Sequence, residues 1–378
     1  MSIEGRCESG FEAVRDAFAR NFAEYKEVGA ACCVYVDGRP VVDIWGGIAD
    51  IATDRPWAED TIVLVYSSTK GVTATAANLL IERGDLDVDA PVADYWPEFA
   101  AAGKDKVPVR AVLSHQAGLP VVDGEFTLDD VLAWDPVVDA LAAQAPRWEP
   151  GTAHGYHMRT YGWLVGELVR RVTGRTIGRF VADELAGPLA LDFWIGLPEE
   201  QEPRCATLVP AGDSDLVELL PEGTLLREAI PNPGGLFAYD ERWNTRPFHA
   251  AELPSSNGIG DARSLARLYA SLIGAVDGMR TLAPATVKAA ATPQARGTDE
   301  TLMIETAYGL GFMLPPSLDE HAGPAAFGHA GAGGSLAFAD PDAGFAFAYV
   351  MNQLRFDPVR YPRASDLVRA AYESRAAG

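Results

Sequence analysis

Segments with β-strand character lie at the two ends of this chain, and segments with helical character lie between them. Near the N-terminus, two β-prone runs flank Asp37-Gly38, a dipeptide typical of a tight hairpin. Short β-prone runs separated by Gly and Pro return in the last hundred residues. Strands from both ends can share one sheet if the helices between them form an insertion. We therefore expect an α/β (α+β) fold with a mainly antiparallel sheet, flanking helices and an inserted helical domain.

The same pattern predicts where the domains begin and end. We expect a discontinuous α/β domain formed by residues 1–66 and 250–378 and a mostly helical domain over 67–249, with the active site between them. Residues 200–245 are rich in Pro, Gly and acidic residues and are only weakly periodic. This composition predicts long loops in that part of the helical domain.

Individual helices are predicted from apolar periodicity and from their end signals. Apolar residues at helical spacing predict a helix over 11–26, and a second helix begins at Ser67 and ends at Gly84. A capped helix is predicted over 255–276 and a final helix over 364–377.

Composition excludes several classes of partner. The net charge of −22 argues against nucleic acid and against anionic membranes, because both need clustered Lys and Arg. No stretch approaches the roughly 20 apolar residues of a membrane span, and the N-terminus shows no apolar signal-peptide core. Cys32 and Cys33 are adjacent and no CxxC pair exists, which favours reduced thiols. We expect a cytoplasmic protein, and the sequence leaves its oligomeric state open.

The segment VLVYSSTKGVTATAANLL, residues 63–80, could carry chemistry. If its strand ends near Tyr66 and a helix follows, Ser67 and Lys70 stand one turn apart on the same face. A serine becomes a nucleophile when a base takes its proton, and a lysine is such a base when burial and nearby positive charge lower its pKa. The alternative is a capping serine followed by an exposed lysine. Ser68 and Thr69 are interpreted as helix-start residues.

Two further segments could complete such a site. Tyr156 follows the turn at Pro150-Gly151 and precedes a helix, and a tyrosine near a lysine and a serine can relay a proton. The run FGHAGAGGSLAFADPDAG, residues 327–344, is dense in glycine where it enters a strand, so its backbone can approach a ligand and donate to an oxyanion. The alternatives are a half-buried core tyrosine and a tight β-turn.

Other catalytic motifs are absent from the sequence. There is no G-x-S-x-G, no H-E-x-x-H and no G-x-x-x-x-G-K-[ST]. His154 and His157 lack an obvious third metal ligand. We therefore expect no metal and no organic cofactor.

Taken in order, these segments resemble the serine β-lactamase and penicillin-binding-protein superfamily over roughly residues 10–375. Ser67-x-x-Lys70 resembles its first motif, Tyr156 the tyrosine of its second, and His329-Ala330-Gly331 stands where its Lys-Thr-Gly motif would be. The segments LSHQAGLP and SSNGIGDARSLARLYASL, which begin at residues 113 and 255, also resemble family segments. The resemblance implies that Ser67, Lys70 and Tyr156 are catalytic.

Two departures narrow the expected activity. The second motif reads Tyr156-His157-Met158 without the family's asparagine, and the third reads His-Ala-Gly without its lysine. The chain is therefore most similar to the β-lactamase-like family VIII carboxylesterases, which implies cleavage of short-chain carboxylic esters through an acyl-enzyme on Ser67. The amides of Ser67 and Ala332 would form the oxyanion hole.

His329, Gly331, Met158 and His157 are the expected substrate-binding residues. Trp134, Trp243 and Phe248 are candidate pocket walls, with exposed loop anchors as the alternative.

Two alternatives to an esterase remain open. One is another acyl-transfer activity that uses the same three residues: a β-lactamase, an amidase, a peptidase or an acyltransferase. His329 could then take the place of the absent lysine as a partner for a carboxylate. The other is a binding protein without catalytic activity on the same fold. For the esterase, the expected partner is a small-molecule ester.

Overall fold

The structure is a computed structural model that describes residues 2–211, 217, 220–356 and 362–377. Its strands are β1 Ile3–Cys7, β2 Gly29–Val36, β3 Arg39–Asp50, β4 Arg55–Pro56, β5 Val63–Leu64, β6 Phe193–Trp194, β7 Ile259–Gly260, β8 Ala295–Thr298, β9 Glu305–Tyr308, β10 Phe327–Ala330, β11 Leu336–Asp340 and β12 Phe345–Met351.

The α-helices are α1 Glu12–Glu24, α2 Thr69–Arg83, α3 Val92–Tyr95, α4 Val109–Leu113, α5 Leu128–Leu132, α6 Asp135–Ala143, α7 Thr160–Thr173, α8 Ile177–Val181, α9 Gly187–Leu189, α10 Leu225–Ala229, α11 Arg246–Ala250, α12 Ala262–Ile273, α13 Pro284–Ala290 and α14 Pro362–Ala377. Four 3₁₀ segments (Pro97–Gly103, Glu199–Arg204, Glu241–Asn244 and Ala332–Gly334) and one π-helical turn (Ala182–Ala186) lie between them.

Strands from both ends of the chain form the main sheet, as predicted. Its order is β1-β3-β2-β12-β11-β10, with β4 paired to β3, and every pair is antiparallel. The two smaller sheets, β5-β7-β6 and β8-β9, are also antiparallel. The predicted fold class is therefore confirmed. The division into two domains at the stated boundaries stays a prediction.

Helices cover both faces of this sheet. Tyr269 of α12 contacts Phe327 of β10 on one face, and Tyr372 of α14 contacts Phe338 of β11 on the other. Every residue of β11 and β12 is buried, which explains why these strands are apolar runs without a polar alternation.

Helix α2 is also buried on all sides over its first three turns, Thr69 to Leu80. A fully buried helix can hold a polar side chain away from water, which an amphipathic surface helix cannot do. The helix ends at Gly84, as predicted, because Gly84 adopts φ +78° as its C-cap.

Two predicted elements need correction. The helix predicted over 255–276 begins only at Ala262, because Asp261 caps it through the Ser264 amide and β7 precedes it. Within 200–245, the described residues form short helices as well as loops, and residues 212–216 and 218–219 lie outside them. Neither an Asp cap nor a one-turn helix gives a long periodic signal.

Among the described residues, no helix combines the length and apolar character that crossing a membrane would require. The predicted cytoplasmic location stays a prediction.

Candidate active site

A sharp turn between β5 and α2 presents Ser67. The preceding residue, Tyr66, adopts φ +44°, a conformation that is rare for a bulky residue. Its ring is fully buried and packs edge-on against Tyr239 and Trp243, with ring centroids 5.4 and 5.0 Å away. This packing compensates for the backbone strain and lets the chain reverse direction at Ser67.

Of the candidate pocket walls, Trp243 and Phe248 are buried behind this turn, and their rings lie 5.2 Å apart. Trp134 is partly buried and donates its indole N–H to Glu167.

The neighbours of Ser67 connect the turn to other elements. Ser68, predicted as a helix-start residue, makes no side-chain capping bond; its hydroxyl donates to the His329 carbonyl (3.3 Å) and meets the Ser335 hydroxyl (3.1 Å). Thr69 donates to the Tyr66 carbonyl and accepts from the Gly258 amide at 2.8 Å. These bonds fix the turn relative to β7 and to the β10–β11 connection.

Lys70 lies fully buried on the first turn of α2. Its Nζ lies 2.7 Å from the Met158 carbonyl, 2.9 Å from the Ser255 carbonyl and 3.1 Å from the Ser67 hydroxyl oxygen. A neutral amine donates its two N–H groups to the two carbonyls, which leaves its lone pair for the Ser67 hydroxyl. Burial, followed by the charge of Arg159, holds the pKa of Lys70 well below its ordinary value. A lysine in this environment favours its neutral amine and can accept the Ser67 proton. The alternative of an exposed lysine is wrong.

Tyr156 lies beside both Lys70 and Ser67. The Lys70 Nζ is 4.7 Å from the centroid of the tyrosine ring, and Tyr156 is 6% exposed. Burial raises the pKa of Tyr156, and the hydroxyl of Ser67 beside it acts in the opposite direction. The structure thus brings Ser67, Lys70 and Tyr156 together, and a proton could pass among their three polar groups.

The backbone of Tyr156 is held by the fully buried Asp299. One carboxylate oxygen accepts from the amides of Tyr156 (2.9 Å), Thr301 (2.9 Å) and Leu302 (2.8 Å). The other accepts from the hydroxyls of Thr306 and Tyr308. The ring of Tyr308 stacks parallel to Tyr156, so both the backbone and the ring of this tyrosine are fixed.

The connection between β10 and β11 closes the site opposite Lys70. A Cβ atom on Gly331 would lie within 3.0 Å of the Val65 carbonyl oxygen and the Ser335 hydroxyl, so only glycine permits this approach. Ser335 donates to that same carbonyl at 2.8 Å. Within the described residues, the Ser67 and Ala332 amides find no protein acceptor, which leaves both donors free for an oxyanion.

The other predicted substrate-binding residues, His329, His157 and Met158, are all buried near this site but differ in their hydrogen bonds. His329 is fully buried, its Nδ1 donates to the Ala330 carbonyl, and burial lowers its pKa to about 3, so it is neutral at pH 7. His157 is buried with both ring nitrogens bound to backbone: Nδ1 donates to Gly155 and Nε2 accepts from Leu119. Met158 lies 7% exposed, with its sulfur 3.9 Å from the Tyr239 hydroxyl.

Four side chains near the site received no role from the sequence. They are Arg159, Asp299, Ser335 and His115. His115 lies in the LSHQAGLP segment, accepts the His157 amide on Nδ1 and packs against Tyr156, with ring centroids 5.1 Å apart. Arg159 follows Tyr156 by three residues, which offered a signal by proximity. Ser335 lies within the glycine-dense run 327–344, but no feature of that run indicated its contacts, and Asp299 lies in no segment that was singled out.

Comparison with known proteins identifies the family. A beta-lactamase family model matches residues 14–371. The esterase/beta-lactamase LipL of Mycobacterium tuberculosis is 36% identical over 368 residues, covering 93% of this chain and 83% of LipL. A solved family VIII carboxylesterase superposes with a TM-score of 0.90 at 38% identity, covering 99% of this chain and 100% of that one.

A penicillin-binding-protein homologue from Caulobacter crescentus gives a TM-score of 0.90 at 40% identity over 99% of this chain and 100% of its own. These likenesses confirm the predicted superfamily and its fold. The chain belongs to the beta-lactamase family, and it is a serine hydrolase of the kind that includes carboxylesterases.

Proposed function

We propose that this protein hydrolyses short-chain carboxylic esters through an acyl-enzyme on Ser67. The observation that carries the proposal is the contact between the buried Lys70 Nζ and the Ser67 hydroxyl, in a site where no carboxylate of the described residues pairs with the lysine. A lysine that is buried without a counter-charge favours its neutral form, which can act as a general base.

In the proposed acylation step, the neutral amine of Lys70 takes the proton of Ser67 as its oxygen attacks the ester carbonyl carbon. The carbonyl oxygen becomes an oxyanion that the amides of Ser67 and Ala332 stabilise. When the C–O bond of the ester breaks, the proton passes through Tyr156 to the leaving alkoxide, which departs as an alcohol.

In the proposed deacylation step, a water molecule replaces the alcohol. The oxygen of this water attacks the acyl carbon, and Tyr156, acting with Lys70, accepts the proton that the water loses. The bond to Ser67 breaks, the serine regains its proton, and the carboxylic acid leaves. The two steps together consume one ester and one water and release an alcohol and a carboxylic acid. They use no metal or organic cofactor.

The neutral state of His329 supports an uncharged substrate. A family member that binds a substrate carboxylate through a lysine at this position offers it a fixed positive charge. Here the side chain is a buried imidazole whose pKa is lowered to about 3, so it carries no charge at neutral pH. Hydrogen bonds to a neutral group are weaker than those assisted by charge, which favours simple esters over carboxylate-bearing substrates.

The test is to compare Ser67→Ala with Ser271→Ala, a fully buried serine on α12 whose hydroxyl bonds to Leu268 and Thr281. We expect Ser67→Ala to reduce p-nitrophenyl butyrate hydrolysis by at least about 10⁴-fold and to abolish fluorophosphonate labelling. Lys70 contacts the Ser67 hydroxyl, whereas the hydroxyls of Ser68 and Thr69 donate to backbone carbonyls. Ser271→Ala should keep both signals. Near-full activity in Ser67→Ala would overturn the proposal.

A β-lactamase activity is the second candidate, because one similar protein is named both esterase and beta-lactamase. The same serine and lysine could open a β-lactam ring. The turnover of nitrocefin, measured beside a series of p-nitrophenyl esters of increasing acyl length, separates the two activities. Ester turnover that exceeds nitrocefin turnover by orders of magnitude supports the esterase, and the reverse ratio supports the second candidate.

A further inference from the structure

Arg159 is a buried cation without an acidic partner. The residue is 2% exposed, and among the described residues no carboxylate forms an ion pair with its guanidinium. Its Nη1 donates to the Ser256 hydroxyl at 3.0 Å, its Nη2 lies 3.5 Å from the Phe237 carbonyl, and its Nε has no hydrogen-bond partner. A charge placed in this way costs stability, so its retention calls for a functional reason.

Aromatic rings take the place of a counter-ion. The guanidinium carbon lies 5.4 Å from the ring centroids of Phe237 and Tyr239 and 5.3 Å from that of Trp243. Ring faces stabilise a cation without neutralising it. The full positive charge of Arg159 therefore remains available to act on neighbouring groups.

A short chain of hydrogen bonds connects Arg159 to Lys70. The Ser256 hydroxyl, which accepts from the guanidinium, lies 3.0 Å from the Ser255 hydroxyl, and Ser255 donates to the Arg159 carbonyl. The carbonyl of Ser255 accepts from the Lys70 Nζ, as does the carbonyl of Met158, the residue before Arg159. Arg159 and Lys70 are thus held by the same pair of backbone segments.

We propose that Arg159 is a positioning residue for acylation: its charge adds to burial in favouring the neutral amine of the neighbouring Lys70, and its bond to Ser256 ties together the two backbone segments whose carbonyls orient that amine. The inference rests on the proposed role of Lys70 as the base for Ser67. Arg159 lies in none of the sequence motifs to which a catalytic or binding role was assigned.

The other titratable groups that face Lys70 are neutral near pH 7. They are two tyrosines and three histidines: Tyr156, Tyr161, His115, His157 and His329. Burial raises the pKa of both tyrosines and lowers the pKa of all three histidines, to about 4 for His157 and about 3 for His329.

Arg159 is faced by Tyr66, whose pKa burial raises, and by the ring of Tyr239. The nearby Asp240 is paired with Arg242. Among the described residues, Arg159 therefore carries the main charge that acts on Lys70. After burial, this charge is the next cause that lowers the pKa of Lys70.

A cation near Lys70 disfavours the ammonium form, so removing it raises the pKa of Lys70 and shifts the acid limb of the activity profile to higher pH. Single neighbouring charges shift a pKa by about 1 to 3 units at close range. For Arg159, which acts through intervening serines, we expect a shift of about one pH unit.

The experiment measures the rate of fluorophosphonate labelling of Ser67 between pH 5 and 10 in the full chain, because this reaction needs the nucleophile and its base but no natural substrate. Arg159→Gln and Arg159→Met remove the charge, and Arg159→Met also keeps an apolar chain between the rings. Arg159→Lys keeps the charge. We expect the acid limb to move up by about one pH unit in both neutral variants and by less than about 0.3 unit in Arg159→Lys.

Thermal unfolding shows which variants are folded, and either neutral variant alone carries the test. An acid limb that stays in place in a folded neutral variant, or that moves equally in Arg159→Lys, would show that Arg159 only packs and would overturn the inference. Labelling that survives in Ser67→Ala would instead overturn the proposed function, so the two failures are distinguishable.

Discussion

At the scale of single residues, the chemistry of this site depends on which groups carry charge. Lys70, the proposed base, is buried beside a cation, and the pKa values of the neighbouring His157 and His329 are lowered to about 4 and about 3. The lysine and these histidines therefore change charge in different pH ranges. A group whose pKa lies far below the working pH cannot shape an activity profile there. The acid limb of ester hydrolysis should therefore report Lys70 and not a histidine.

This leads to a prediction for His329→Gln. The substitution keeps a polar side chain but removes the imidazole, whose pKa is about 3 in the folded protein. We expect the acid limb of kcat/KM for p-nitrophenyl butyrate to stay within about 0.2 pH unit of the wild-type value, whatever the change in absolute rate. A limb that moves by a full unit would mean that His329 is ionised together with Lys70.

At the scale of elements, two turns that are distant in sequence form the two sides of the proposed oxyanion site. The β5–α2 turn supplies Ser67, and the β10–β11 connection supplies Ala332. Ser335 and Ser68 bond the two turns to each other, and Gly331 lets their backbones touch. The distance between the Ser67 and Ala332 amides therefore depends on Gly331, which has no side chain to take part in the reaction.

Gly331→Ala tests this dependence. The new methyl group would collide with the Val65 carbonyl oxygen and push the β10–β11 connection away from Ser67. We expect kcat to fall by about 10²-fold, the usual effect of losing one oxyanion donor, while the protein stays folded.

Gly274→Ala is the matched control, because a Cβ atom there would meet nothing closer than 3.8 Å. Esterase kinetics and circular dichroism of the two variants check the expectation. Equal activity in both variants would contradict a role for the Gly331 contact.

At the scale of the whole molecule, a buried ion pair joins α14 to the segment after α1, next to the β10–β11 connection. Glu27, which follows α1, accepts from Arg363 of α14 with both carboxylate oxygens, at 2.8 and 2.7 Å, and also from the Tyr349 hydroxyl. The second nitrogen of the guanidinium donates to the Gly333 carbonyl at 2.6 Å. Arg363 thus connects the packing of α14 to the position of Gly333 in the β10–β11 connection.

Breaking this pair should be costly. Arg363→Met leaves Glu27 as an unpaired buried charge, and we expect a loss of about 3–5 kcal/mol in the free energy of unfolding. Arg369→Met on the same helix, whose guanidinium is 44% exposed, should cost less than about 1 kcal/mol.

Urea unfolding measures both variants. The double variant Glu27→Gln with Arg363→Met should recover part of the loss, because it removes the unpaired charge. A similar small cost for Arg363→Met and Arg369→Met would show that the buried pair does not hold α14 to the segment after α1.

The sequence by itself determined what depends on local spacing. The hairpin at Asp37-Gly38, the end of α2 at Gly84 and the three-residue step from Ser67 to Lys70 are each written in a few neighbouring residues, because turns and helices repeat over short distances. The same is true of the order of strands and helices, which predicted the antiparallel sheet. The roles of Ser67, Lys70 and Tyr156 stay predictions that the geometry supports.

Only the tertiary structure decided the environment that gives those residues their chemistry. Asp299 reaches Tyr156 across 143 positions in the chain, and Ser335 reaches Val65 across 270. Arg159 stands close to Tyr156 in sequence, yet only the packing around it shows that no carboxylate of the described residues pairs with it. Burial and unpaired charge depend on contacts between distant segments, and a pattern of neighbouring residues contains no record of which segments those are.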